Sequence, residues 1–232
     1  MNRFLAAIAV PALLCATPVL ADNLSTASGG PKSPAAVMNW TGCYVGANAG
    51  YGWAPETWFY GYYAGTDYNE NYGSHTTSGG LIGGQVGCDY QMGMWVVGAK
   101  ADLDAADMTG AHSFDDYGQS TKLDWIATAT GRAGYAFDRA LLYLDGGVAW
   151  DRGAYMMALS GENYSDTISR TGFDIGLGAE YALTNNISLN VSYDYLGFGK
   201  HDVLWLYLGT QPWSFHIDQN VNMARAGLNV RF

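Results

Sequence analysis

Lys100, Asp102 and Asp104 stand two residues apart, as do Arg225, Gly227, Asn229 and Arg231 near the end of the chain. A spacing of two places side chains on one face of a β-strand, while the residues between them point to the other. Here the intervening residues are apolar: Ala101 and Leu103, then Ala226, Leu228 and Val230. Asp89, Asp124, Arg132, Asp145, Asp174, Glu180 and Asp194 are assigned the same inward parity in their own stretches. The chemistry on offer is charge pairing across a shared face. Asp89, Asp102, Asp124, Asp145, Asp174, Glu180 and Asp194 face Lys100, Arg132, Arg225 and Arg231, leaving three excess negative charges. Charges of this kind must pair or keep water, because burying them alone is costly.

Other chemistries have less support. His75, His112, His201 and His216 all fall in long connecting segments, and no two share the spacing of metal or haem ligands within one element. Ser74-His75 sits in such a connection rather than on a wall where a serine, a histidine and an acid could converge. The expectation is a non-enzyme without cofactor or bound metal. Cys43 and Cys88 fall near the same end of two consecutive predicted strands. They are expected either to bridge as cross-strand neighbours or to remain two free thiols.

The charged face needs elements that enclose it. Eight alternating stretches are predicted as strands: 41–53, 80–90, 94–104, 122–135, 141–150, 171–181, 187–195 and 222–232. Strands of about ten residues match the span of a tilted transmembrane strand. Their polar face points inward and their apolar face outward, as in a barrel whose wall meets lipid. Connections at 91–93, 136–140 and 182–186 are short. Those at 54–77, 105–121, 151–170 and 199–220 are long, so long and short strictly alternate. Outward aromatics group at two heights, Tyr90, Trp95, Tyr135, Tyr181 and Phe232 at one end, Tyr51, Trp53, Trp150 and Tyr195 at the other. Amphipathic rings prefer the two membrane interfaces. The fold class expected is all-β, an eight-stranded antiparallel transmembrane barrel with short periplasmic turns and four long external loops.

Composition agrees with this. Gly at 31 and Tyr at 17 are frequent, with only 6 prolines, and no apolar run past the first twenty residues is long enough for a membrane helix. Residues 1–21 read as a cleaved signal peptide, with Arg3 before a short apolar run and Val19-Leu20-Ala21 at the cleavage point. Residues 22–39 form a Ser/Gly/Pro/Ala-rich periplasmic leader, and 40–232 the barrel domain. The formal net charge of −10 disfavours nucleic acid as a partner.

Trp40-Thr-Gly-Cys-Tyr-Val-Gly-Ala-Asn-Ala-Gly-Tyr-Gly-Trp53, Gly83-Gly-Gln-Val-Gly87, Gly131-Arg-Ala-Gly-Tyr-Ala-Phe-Asp138, Gly178-Ala-Glu-Tyr-Ala-Leu-Thr184 and Arg225-Ala-Gly-Leu-Asn-Val-Arg-Phe232 together resemble the porin-family outer-membrane proteins of alphaproteobacteria. The resemblance runs from Trp40 to Phe232. It implies a small opacity-like eight-stranded barrel in the outer membrane of a Gram-negative bacterium. It also implies insertion by the outer-membrane assembly machinery, which reads the terminal Phe232. Lys100 departs from the family, where an acid is common, as do Asn190 and Ser192, where a lysine and a glutamate are usual. Lumen chemistry therefore does not carry over.

The function expected is structural and envelope-stabilising, with surface exposure. A small, weakly cation-favouring diffusion pore is the alternative, followed by haem or surface-ligand binding through the long connections. Trp58, Phe59, Tyr60, Tyr62, Tyr63, Tyr68 and Tyr72, with Trp205, Tyr207, Trp213 and Phe215, either recognise a surface ligand or pack on one another. The remaining partners expected are outer-membrane lipid and lipopolysaccharide.

Overall fold

The computed structural model describes residues 38–63, 66–114, 117–159, 162–208 and 211–232. The predicted signal peptide and nearly all of the predicted leader lie outside the described residues. Eight strands follow one another: β1 Gly42–Tyr63, β2 Thr66–Met92, β3 Trp95–Phe114, β4 Tyr117–Phe137, β5 Ala140–Leu159, β6 Glu162–Ala182, β7 Ile187–Leu208 and β8 Gln211–Arg231. Each pairs antiparallel with the next, and β1 closes on β8 through pairs such as Val45↔Val230 and Ala49↔Ala226. Closure leaves no unpaired backbone edge, which a lipid environment requires.

The strands are about twice as long as the alternating stretches that predict them. Segments 54–77, 105–121, 151–170 and 199–220 continue the ladders instead of looping, with β1 and β2 still paired at Tyr63↔Thr66 and β5 and β6 at Leu159↔Glu162. The outward residues of these extensions mix polar side chains such as Thr109, Arg152 and Ser165 with apolar ones such as Met156, so the apolar/polar contrast fades while the backbone pairing persists. Register shifts blur the pattern further, at Trp58/Phe59, Ala105/Met108, Leu123/Trp125 and Gly197/Lys200.

The opposite end is made of tight hairpins. Met92 pairs with Trp95 and Phe137 with Ala140, each around two intervening residues. The first of those residues takes positive φ in both turns, Gly93 at 64° and Asp138 at 53°. Glycine enters this region without a Cβ penalty, and aspartate is among the few others that tolerate it. The third turn is held by Thr184 Oγ1, which accepts from the Ile187 amide at 2.9 Å.

Between these regions the outer wall is apolar, with Ile82, Leu103, Leu144, Ile175 and Leu177 all exposed. It is rimmed by exposed Tyr90, Trp95, Tyr135, Tyr181 and Phe232 at the short-turn end and by Tyr51 and Trp150 at the other. Trp95 and Tyr135 pack edge-to-face with centroids 5.4 Å apart. Cys43 and Cys88 are direct register partners on this wall and are joined by a disulfide.

The barrel interior is packed in layers. At the short-turn end Met38 and Trp40 enter the barrel and join Val96, Leu141 and Tyr143 in one apolar cluster. Toward the long end Leu81, Met108, Leu123, Ile126, Leu196 and Met223 belong to a second. Most of the buried charged residues occupy the level between them.

Candidate functional site

Charged side chains from seven of the eight strands meet at the level between the two apolar clusters. Of the predicted set, Asp89, Lys100, Asp102, Arg132, Asp145, Asp174, Glu180, Asp194, Arg225 and Arg231 all face inward, none more than 6% exposed. Asp124 does not. The shift between Leu123 and Trp125 makes it a bulged residue, so Leu123 turns inward and Asp124 points out and is exposed. A single extra residue reverses the parity of everything beyond it. Asp104 takes its place in the charge balance, buried on the same face as Lys100 and Asp102.

Toward the periplasmic end, Arg132 bridges two acids from opposite sides. Its Nε donates to Asp89 Oδ1 at 2.7 Å, its Nη2 to Asp89 Oδ2, and its Nη1 to Glu180 Oε2 at 3.2 Å. This fork-on-carboxylate geometry suits arginine rather than lysine. Arg231 adds a second cation, 2.9 Å from Asp89 Oδ2 and 3.6 Å from Glu180 Oε1. The remaining valences of Glu180 are filled by Ser188 Oγ at 2.5 Å and Asn229 Nδ2 at 3.0 Å, both donating to Oε1.

Aromatic rings close this layer from below. The Arg132 guanidinium lies 5.0 Å from the centroids of both Tyr44 and Tyr143. Arg231 lies 5.4 Å from the Trp40 ring and donates to the Trp40 carbonyl at 2.5 Å. Trp40 is fully buried, and its amide donates to Gln91 Oε1 at 2.8 Å. Trp40, the first residue of the predicted barrel domain, is therefore fixed in the barrel mouth, with Met38 of the predicted leader in the same cluster. The sequence signal for it was one large ring beside the first alternating stretch.

One level up, Lys100 Nζ stands 3.4 Å from Asp102 Oδ2 and 3.2 Å from Asp145 Oδ2. Arg225 reaches Asp104 at 2.7 Å, Asp102 at 3.2 Å and Asp194 at 3.0 Å. Thr128 and Ser192 hydroxyls donate to Asp102 and Asp194. Asp174 lies among the same charges.

A further polar group above the second apolar cluster escapes the sequence reading. Arg170 forks onto Asp151, with Nε donating at 3.0 Å, and its guanidinium lies 4.7 Å from the Phe198 centroid. Tyr155 donates to Gln219 Oε1 at 3.1 Å. Burial raises the Tyr155 phenol above the ordinary tyrosine value, against the opposing charge of Arg170, and so keeps its proton in place for that bond. Beside it His75 Nε2 contacts Glu56, which accepts from Thr77 Oγ1 at 2.9 Å. Continuing the alternation past Trp150 and Thr171 reaches Asp151 and Arg170, so the signal was present.

The histidines do not assemble into a ligand set. His75 pairs with Glu56 inside the barrel extension and His216 with Asp202 near its surface. Among the described residues no group of three or more His, Cys, Asp or Glu is placed to hold a metal ion. Of the aromatic residues in the first extension, Trp58 is fully buried and packs edge-on to Tyr155 at 6.4 Å. The side chains of Tyr60, Tyr62, Tyr63, Tyr68, Tyr72, Trp205, Tyr207, Trp213 and Phe215 lie outside the described residues.

Known proteins share this architecture. The family model described as outer membrane protein beta-barrel domain matches residues 24–232. The chain is 31% identical over 237 residues to the 31 kDa outer-membrane immunogenic protein of Brucella melitensis biotype 1, across 96% of this chain and 97% of that protein. It is 28% identical over 207 residues to the 22 kDa outer membrane protein of Rhizobium leguminosarum bv. viciae, across 87% and 82%. Among solved structures, OprG from Pseudomonas aeruginosa matches with a TM-score of 0.52 at 13% identity, over 84% of this chain and 99% of that one, a likeness of fold. Closed strands, an apolar outer belt between aromatic rims and a charged interior agree with these matches, and the chain belongs to the outer-membrane β-barrel family as a Gram-negative outer-membrane protein of the alphaproteobacterial type.

Proposed function

We propose that this protein is a sealed, structural barrel that anchors in the outer membrane and carries paired hairpins out beyond it. The observation that supports this reading most directly is the layered lumen. A charge-paired level lies between an apolar cluster around Trp40 and another around Met108 and Leu123. An eight-stranded barrel has an interior about wide enough for side chains to fill, and on this reading these layers fill it. The extended strands support a role at the cell surface, since pairing stiffens what would otherwise be loops. The Brucella relative's name speaks of immunogenicity, which fits a protein displayed outward. On this reading the chain is not an enzyme and needs no cofactor. Its partners are outer-membrane lipid and lipopolysaccharide, the assembly machinery that reads Phe232, and any surface ligand that the hairpin tips meet.

Planar-bilayer conductance of the refolded, heat-modifiable barrel tests the sealed lumen. The expected record is silent for the natural chain and for Asp145→Asn. Steady single-channel steps whose ion preference shifts in Asp145→Asn and Arg132→Gln would replace this reading with a diffusion pore through the charged level.

A further inference from the structure

The lumen charges divide into two groups of unequal balance. On the periplasmic side Arg132 and Arg231 face Asp89 and Glu180, two against two. In the other group Lys100 and Arg225 face Asp102, Asp104, Asp145 and Asp194, and Asp174 lies in the same field. Two cations thus meet five carboxylates. That leaves an excess of three negative charges in this one group, and buried excess charge calls for a counter-ion.

The excess also has a place. Neither oxygen of Asp174, which is 1% exposed, has a hydrogen-bond partner. Asp145 Oδ1 and Asp194 Oδ1 are buried without a partner too. Gly176 is the register partner of Asp145 on one side and of Asp194 on the other. A methyl group on Gly176 would lie 2.1 Å from Asp145 Oδ1 and 2.8 Å from Asp194 Oδ1. Two unpartnered carboxylate oxygens from neighbouring strands therefore converge on the space that this glycine leaves open. Asp174 precedes Gly176 by two residues on the same face of β6.

We propose that Asp145 and Asp194 bind a hard divalent cation of the Ca²⁺ or Mg²⁺ class in the cradle over Gly176, with Asp174 supplying further negative charge. The converging donors are carboxylate oxygens, the ligands such ions take, at about 2.3–2.6 Å for Ca²⁺. Two direct carboxylates leave the rest of the shell to water, so the site is one of modest affinity rather than a full protein chelate. The apolar clusters on either side mean that the ion is enclosed as the barrel closes. The inference stands on the carboxylate geometry and holds whether or not the lumen conducts.

The test is refolding of the full chain in detergent, free of lipopolysaccharide, with Ca²⁺, with Mg²⁺ or with EDTA at matched ionic strength and pH. Two quantities are read: the midpoint of the heat-modifiable gel transition, and the Ca²⁺ retained per barrel after gel filtration. The expected result is a higher midpoint with divalent ion than with EDTA, and about one Ca²⁺ retained. Asp174→Asn should raise the EDTA midpoint and shrink the divalent response, because it removes charge without removing a ligand. Gly176→Ala keeps every charge but fills the cradle, and should abolish retention. Equal midpoints and no retained ion in the natural chain overturn the proposal, as does a midpoint that follows pH alone, which would make protons the counter-charge. Undiminished retention in Gly176→Ala also overturns it. Should Gly176→Ala fail to fold, Asp174→Asn decides: an unchanged divalent response in that variant places the ion elsewhere.

Discussion

Arg132 carries more of the lumen's charge pairing than its position in the sequence suggests. Among the described residues it alone both forks onto Asp89 and reaches Glu180, and two tyrosine rings cover its faces. Removing one member of a buried pair leaves the other charge uncompensated, at a cost of about 3–5 kcal/mol. Arg132→Gln should therefore lower the urea midpoint of the folded barrel substantially, while Lys122→Gln, on an exposed side chain, should leave it unchanged. Equal midpoints in the two variants would show that Arg231 alone can hold Asp89 and Glu180. Most of this network was legible as parity. Asp124 was not, because nothing in Leu123-Asp124-Trp125 announces that β4 bulges there. Asp104 was legible as an inward residue, but its partner Arg225 lies on a strand more than a hundred residues away.

At the scale of the element, alternation located all eight strands but only the half of each that lipid surrounds. The contrast between apolar outside and polar inside exists because the outside is lipid. Above the aromatic rim both faces carry polar residues, as in β6, where Asn163, Ser165, Thr167 and Ser169 all point outward and are exposed. Gly- and Ser-rich composition then imitates a loop even though the ladder runs on. The boundary can be placed with two arginines on one strand. Leu144 is 67% exposed on the apolar belt of β5, and Met156 is 45% exposed on the same face above Trp150. An arginine at the bilayer midplane of a barrel costs roughly 2–4 kcal/mol, and near zero once outside. Leu144→Arg should therefore lower folding stability in lipid vesicles by about that amount, with Met156→Arg close to neutral. A comparable loss in both would extend the lipid-covered wall well above Trp150.

For the whole molecule, the order of the layers matters more than any one of them. Trp40, the charge-paired level and the cluster around Met108 follow one another along the barrel axis, so in the sealed barrel we propose each blocks a path that the others also block. Obstacles in series do not yield a channel when one is removed. Trp40→Ala deletes a fully buried ring that Arg231 holds by its carbonyl and its face, and large-to-small changes of this kind cost about 3–5 kcal/mol. The variant should unfold at lower urea concentration and yet stay electrically silent, because Arg132, Asp89 and Glu180 still close the level above. Met108→Ala should behave in the same way from the other end. Only when Trp40→Ala, Arg132→Gln and Met108→Ala are combined should steady conductance steps appear, provided the gel shift shows that the triple variant folds. A single variant that conducts as strongly as the triple would mean that one layer alone makes the seal, and that the other two serve stability only.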